Sequence, residues 1–297
     1  MASNIVELFG YSPTDKSESA RQARADSHCP FLDGVCVKTL RNGDASGVCT
    51  LKPKTSGPVI CCPYRLYAND YKILKDVAIV AFGGDVELCR ASEARNKLVE
   101  SGKVKVAVFG KRWGKELRLP SRGKSGGYFV DWVLAQLDEN GELVDFVAVE
   151  VQSIDTTGNY QGERRAYLAG LAPKKASTAG FNWENVNKRI LPQLIYKGHV
   201  LRRERLCRSG LFFICPKPVN DKIRERLGGE LYEYSLQPGS LSLMWYDLGD
   251  EVPEGQIREL VGRGVFTTTV DQVANAFTSP SNLPVENVYR DAILAQL

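Results

Sequence analysis

Long apolar runs are missing from this sequence: none approaches the roughly 20 residues that a membrane helix needs, which excludes such a helix. The N-terminus, MASNIVELFGYSPTD, lacks both the basic start and the apolar stretch of a secretory signal, so the expected location is the cytoplasm. Internal repeats and low-complexity stretches are absent as well, which excludes a repeat architecture. Lysine is absent from residues 228–297, where ten acids meet three arginines; that end is −7, and residues 1–227 carry +11. A basic body with an acidic end implies a polyanionic partner, for which nucleic acid is a candidate. What the chain does have is 297 residues at 43% hydrophobic content, enough to pack one large domain or two smaller ones.

Cysteine is plentiful and unevenly spread, with five of eight residues between Cys29 and Cys62. The stretch CPFLDGVCVKTLRNGDASGVCTLKPKTSGPVICCP is punctuated by Gly and Pro, and no long helix or strand fits between its cysteines. In a reducing compartment disulfides are disfavoured, whereas four thiolates around one metal would fold such a loop-rich piece. The spacing is not the paired CxxC of a zinc ribbon, and buried, inert cysteines are the alternative. Cys61 and Cys62 compete for the fourth ligand position. Cys62 is preferred, because Cys62-Pro63 repeats Cys29-Pro30. A tetrahedral thiolate site accepts zinc or iron and leaves no open position for chemistry. Cys89, Cys207 and Cys215 read as core residues.

The expected organisation is an N-terminal metal-binding segment, residues 1–75, followed by an α/β domain, residues 76–297. Residues 64–76 read as helix, 77–84 as strand, and 86–102 as an amphipathic helix ending at Gly102. Residues 103–110, 115–120, 127–137 and 143–152 read as four successive strands. A long helix over 183–206, kinked at Pro192, precedes a strand at 210–216 and a helix at 219–227. The acidic end reads as folded strand and helix.

Within VDFVAVEVQS, residues 144–153, a carboxylate and an amide interrupt an otherwise buried strand. Asn140-Gly141 upstream favours a tight hairpin, and with that turn the numbers of opposing residues sum to 281, which sets Asp131 against Glu150. Alternation then gathers Asp131, Glu150 and Gln152 on one face, with Glu116 on the preceding strand able to approach. Two opposed carboxylates in an apolar sheet repel unless a divalent cation bridges them, and hard oxygen ligands suit magnesium or manganese. A solvated acidic pair is the alternative reading, but Val144, Phe146 and Ala148 on the same face argue against it. Such a site offers what phosphodiester hydrolysis requires. The supply of cations agrees: residues 197–226 hold nine Lys and Arg against three acids, Arg202, Arg203 and Arg205 among them, and APKKASTAG suits a phosphate-approaching loop.

An acid, a turn and then Glu-x-Gln resemble the PD-(D/E)XK nuclease signature, with Gln152 where lysine usually stands. Together with ELFGYS, with CPF, the later cysteines and CPYRL, and with FNWENVNKRILPQLIYKG, the chain resembles the NotI family of type II restriction endonucleases from residue 5 to about 216. The resemblance implies a restriction-endonuclease core carrying an N-terminal four-cysteine iron site in a bacterial enzyme. Such an enzyme cuts double-stranded DNA at a GC-rich palindrome with magnesium. A palindrome calls for two copies of one site about a two-fold axis, so a homodimer is expected, and in-line attack with the 3′-oxygen leaving is expected to give 5′-phosphate ends. Carried over, the iron ligands are Cys29, Cys36, Cys49 and Cys62. The catalytic residues are Asp131, Glu150 and Gln152, with Glu116 upstream. The competing expectations are a metal-stapled DNA-binding protein without catalysis, an electron-transfer protein built on the thiolate iron site, and a structure-specific repair nuclease of the same fold.

Overall fold

A computed structural model describes residues 4–54, 56–113, 116–119, 128–175, 177–229, 231–281 and 283–297. Short strands β1 (Ile5–Leu8), β2 (Val48–Leu51) and β3 (Val59–Ile60) form a small antiparallel sheet that brackets the first cysteines. Helix α1 (Glu18–Ala25) is started by Ser17, whose hydroxyl accepts from the Ala20 N–H. A 3₁₀ turn at Pro63–Tyr67 leads into α2 (Ala68–Phe82).

The body of the molecule is a seven-stranded mixed sheet of β4 (Asp85–Arg90), β5 (Lys103–Gly110), β6 (Trp132–Leu137), β7 (Leu143–Val151), β8 (Leu211–Pro216), β9 (Ser240–Leu248) and β10 (Leu260–Thr269). Their spatial order is β10-β9-β8-β7-β6-β5-β4. The pairs β7/β8 and β8/β9 are parallel, and the hairpin β6/β7 is antiparallel. Helix α2 covers one face, where Ile73, Leu74, Val77 and Ala78 pack with Val106, Leu134, Val149 and Ile214. After α3 (Gln161–Leu168), helices α4 (Leu191–Leu201), α5 (Lys217–Leu227) and α6 (Val270–Thr278) cover the other face, against Ala148, Phe213 and Leu243. A short α7 (Val288–Leu294) ends the chain. Among the described residues no helix is long and apolar enough to cross a membrane.

The N-terminal segment shares its core with the sheet. Cys29, Cys49 and Cys62 belong to the same apolar cluster as Val108, Trp132 and Val147. Beside that cluster lies a fully buried ion pair: Arg65 Nε donates to Glu7 at 3.0 Å, with the two side chains 0% and 1% exposed. Arg65 also donates through Nη2 to the Arg258 carbonyl at 2.6 Å, tying the segment to the β9–β10 connection.

Three expected elements take other forms. The strand expected over 77–84 is not formed; residues 77–82 are the second half of α2: the buried positions 73, 74, 77 and 78 fall at helical spacing, and Gly83 ends the helix at φ 72°. Ahead of them Asn69, Asp70 and Tyr71 all have positive φ, so the regular helix begins only after Tyr71. Residues 86–102 are not an amphipathic helix, since 85–90 form edge strand β4 in parallel register with β5, Val86 opposite Val104 and Cys89 opposite Ala107. Pairing with a neighbouring strand overrides helical periodicity there. The helix expected over 183–206 is shorter, a π-helical turn at Val186–Ile190 followed by α4. Pro192, which lacks an N–H to donate back along the helix, sits in the first turn after this wide stretch. The strand expected over 115–120 lies partly outside the described residues; its described portion, Arg118–Leu119, pairs with Tyr128–Phe129 in a separate ribbon.

Candidate active site

The hairpin β6/β7 keeps the register in which opposing numbers sum to 281: Trp132 faces Val149, Val133 faces Ala148 and Gln136 faces Asp145. It does so through two deviations that cancel. The turn is one residue longer than a two-residue loop, with Asp138 N–H donating to the Glu142 carbonyl across residues 139–141 and Gly141 at φ 79°, while a bulge between Gln136 and Leu137 restores the pairing. One step beyond the last paired residues, Asp131 and Glu150 meet. The Asp131 carboxylate accepts from the Val151 N–H at 2.8 Å.

The electrostatics of this pair are unfavourable on their own. Burial, followed by the neighbouring Asp131 charge, pushes the Glu150 carboxyl up to about 7. Asp131 keeps part of its surface open to solvent, yet protein crowds its other sides. Burial, reinforced by the Glu116 charge, raises its carboxyl, against the pull of the Val151 N–H and of Lys197. Glu116 itself is exposed and reaches Asp131 only through space. Gln152 is half-buried; its N–H donates to the Ile214 carbonyl at 2.9 Å, which continues the β7/β8 ladder and holds its side chain on the Glu150 face.

Sequence reading missed Lys197. From α4 its Nζ donates to Glu150 Oε1 at 2.5 Å, with side chains 10% and 12% exposed. The signal was present: Leu191, Leu194, Gly198 and Leu201 form the buried stripe of α4, and Lys197 sits inside it. Gly198 brings the helix close, because a Cβ there would stand 2.8 Å from Val270 Cγ2 at the start of α6.

Around the site the supporting residues are aromatic and basic. Tyr64 and Tyr67, just after Cys62, lie close enough to Asp131 for its charge to raise their hydroxyls, behind the larger effect of burial. Tyr67 accepts from Trp132 Nε1 at 3.2 Å. The stretch after β7 pairs Thr156–Thr157 with Gly180–Phe181, which brings exposed Lys174 and Lys175 to the rim of a neighbouring concavity of about 630 Å³. Of the three arginines singled out after α4, Arg202 pairs with Asp271 at 2.5 Å, and all three are exposed. An apolar cavity of about 490 Å³ further along the hairpin, lined by Phe109, Ala135 and Phe146, includes none of the acidic pair.

The first cysteines divide into two environments. Cys29, Cys49 and Cys62 are buried in one cluster with Cys36 packed against it, whereas Cys61 lies in another, its Sγ 3.8 Å from Lys38 Nζ. Burial pushes the Cys62 thiol up to about 12 and raises Cys29 and Cys49, with neighbouring thiols adding to each shift. Among the described residues no three or more His, Cys, Asp or Glu side chains draw together as a metal-holding group. By donor chemistry the thiols of Cys29, Cys36, Cys49 and Cys62 fit iron or zinc. The Asp131–Glu150 pair fits magnesium, which commonly takes only one or two carboxylates and retains several waters.

Residues 18–206, more than half of the chain, match the family model described as restriction endonuclease NotI. No curated protein matches the chain.

Proposed function

The chain belongs to the restriction endonuclease NotI family, and from that premise we propose that it is a type II restriction endonuclease cutting double-stranded DNA at a GC-rich palindrome in the bacterial cytoplasm. The observation that carries the reading is the carboxylate pair of solvent-facing Asp131 and largely enclosed Glu150, opposed across β6 and β7 with Gln152 on the same face. Asp131 and Glu150 would hold magnesium, which would supply Lewis acidity toward a phosphoryl oxygen and toward the attacking water. Gln152 orients the attacking water and Glu116 adds negative charge beside Asp131. The water oxygen forms the new bond to phosphorus, its proton passes to solvent, and the bond to the 3′-oxygen breaks; that oxygen takes up a proton. The products are a 5′-phosphate and a 3′-hydroxyl. Arginines read guanine edges in the major groove, and a palindrome is met by two copies of the chain about a two-fold axis.

The test is digestion of a fully sequenced viral DNA by the purified protein with magnesium. Discrete, reproducible fragments are expected, and their ends give the site. A smear moves the assignment to a repair or non-specific nuclease, and uncut but specifically bound DNA moves it to a binding protein without catalysis.

The cysteine segment, in this reading, is a rigid iron-bearing scaffold beside the site, with zinc as the other metal that its donors accept. Cys62→Ser is expected to lose the bound metal while Cys61→Ser retains it, measured by elemental analysis of the purified proteins. Equal loss in both variants would reassign the fourth ligand.

A further inference from the structure

We propose that Lys197 is the catalytic cation of this site, reaching from α4 to the scissile phosphate and filling a role that neutral Gln152 leaves open on the strand. The assignment rests on the nuclease reading given above. Three observations carry it. First, the Lys197 ammonium is buried on the sheet face that bears Asp131, Glu150 and Gln152, with Nζ 2.5 Å from Glu150 Oε1. An ammonium is costly to desolvate, and an apolar residue of similar volume would serve the α4–sheet packing at least as well. Second, the helix turn that carries it is fixed by packing: Gly198, the next residue, seats α4 against Val270 at the start of α6, where a Cβ would stand 2.8 Å from Val270 Cγ2. Third, the charge balance calls for a cation besides the metal. The opposed carboxylates and one incoming phosphodiester bring three negative charges, with exposed Glu116 adding a fourth at longer range; a divalent cation would cancel two of them, and Lys197 reduces the excess that remains. The further negative charge that develops on the phosphoryl oxygens during attack is then met by a cation already in place.

In the free protein Lys197 is held by Glu150. With a divalent cation held by the carboxylates, the ammonium would be freed from that partner to turn toward the phosphoryl oxygens, which needs the movement of one long side chain.

The experiment compares full-length wild type, Lys197→Gln, Lys197→Met, and the double variant Lys197→Gln with Gln152→Lys. Each is measured by thermal melting, by retention of a duplex carrying the mapped site in calcium, and by single-turnover cleavage in magnesium. Lys197→Gln keeps a hydrogen-bond donor to Glu150 and removes only the charge. It is expected to melt near the wild type, bind the duplex, and cut about a hundredfold more slowly or worse. The double variant, which returns a cation to the same face from β7, is expected to recover at least about a tenth of the lost rate, a rescue that a purely structural ion pair would not give. Folded Lys197→Gln or Lys197→Met protein cutting within about fivefold of the wild type would overturn the assignment and leave the nuclease reading standing. A wild type that leaves DNA whole in magnesium removes the nuclease reading and this assignment with it.

Discussion

Glu150→Ala protein, given magnesium and the DNA that the wild type cuts, leaves that DNA whole while still retarding it in a gel. The expected loss of single-turnover rate is at least about a thousandfold, since on the proposed reading the substitution removes a metal ligand and one of two preorganised charges together. Binding survives because affinity for DNA is spread over many phosphate contacts, and the exposed cations Lys174, Lys175 and the arginines after α4 are untouched. The fold survives as well. In the wild type Glu150 is a strained member of its sheet, raised by burial and by Asp131, and its removal relieves that repulsion even as it leaves Lys197 without its partner. Cleavage by the folded Glu150→Ala protein at wild-type rate would remove this residue from the chemistry.

The largest effect on stability is expected from Arg65→Met. Arg65 is 0% exposed and its partner Glu7 1%, so the substitution strands a carboxylate in the interior with only the Thr50 hydroxyl to satisfy it. Breaking one side of such a pair costs about 3–5 kcal/mol, a fall in melting temperature of roughly 10 °C for a chain of this size. Replacing both, as Glu7→Leu with Arg65→Met, is expected to return much of that loss, because two apolar side chains carry no desolvation cost. Calorimetry on the single and double variants decides it. If the single variant melts within a degree of wild type, the ion pair does not hold β1 against the turn that precedes α2.

Much of the site was legible in the sequence because it is written in alternation. Asn140-Gly141 and the apolar pattern around Glu150 were enough to oppose Asp131 to Glu150, even though the turn is not the one assumed; the bulge at Gln136 and Leu137 compensates for it. Lys197 was hidden because a lysine between Tyr196 and Gly198, in a region crowded with basic residues, reads as solvated until α4 is docked on the sheet. The misread elements share one cause. Residues 77–84 and 86–90 are short apolar stretches whose form is decided by partners distant in sequence, α2 by the sheet face beneath it and β4 by its pairing with β5. Strand order was beyond reach for the same reason. The separation of Cys61 from Cys62 followed from a simpler rule: adjacent residues of an extended chain point to opposite sides, so only one of the two can join Cys29 and Cys49.

The contact between Gly198 and Val270 bears on how small this protein can be made. The family match ends at residue 206, and a truncated version designed to that limit would keep Asp131, Glu150, Gln152 and Lys197. It would discard β8, which extends the sheet beyond β7, and α6, against which α4 is seated. The acidic C-terminal part is therefore the buttress of the site, and a minimal enzyme has to run at least through Thr278.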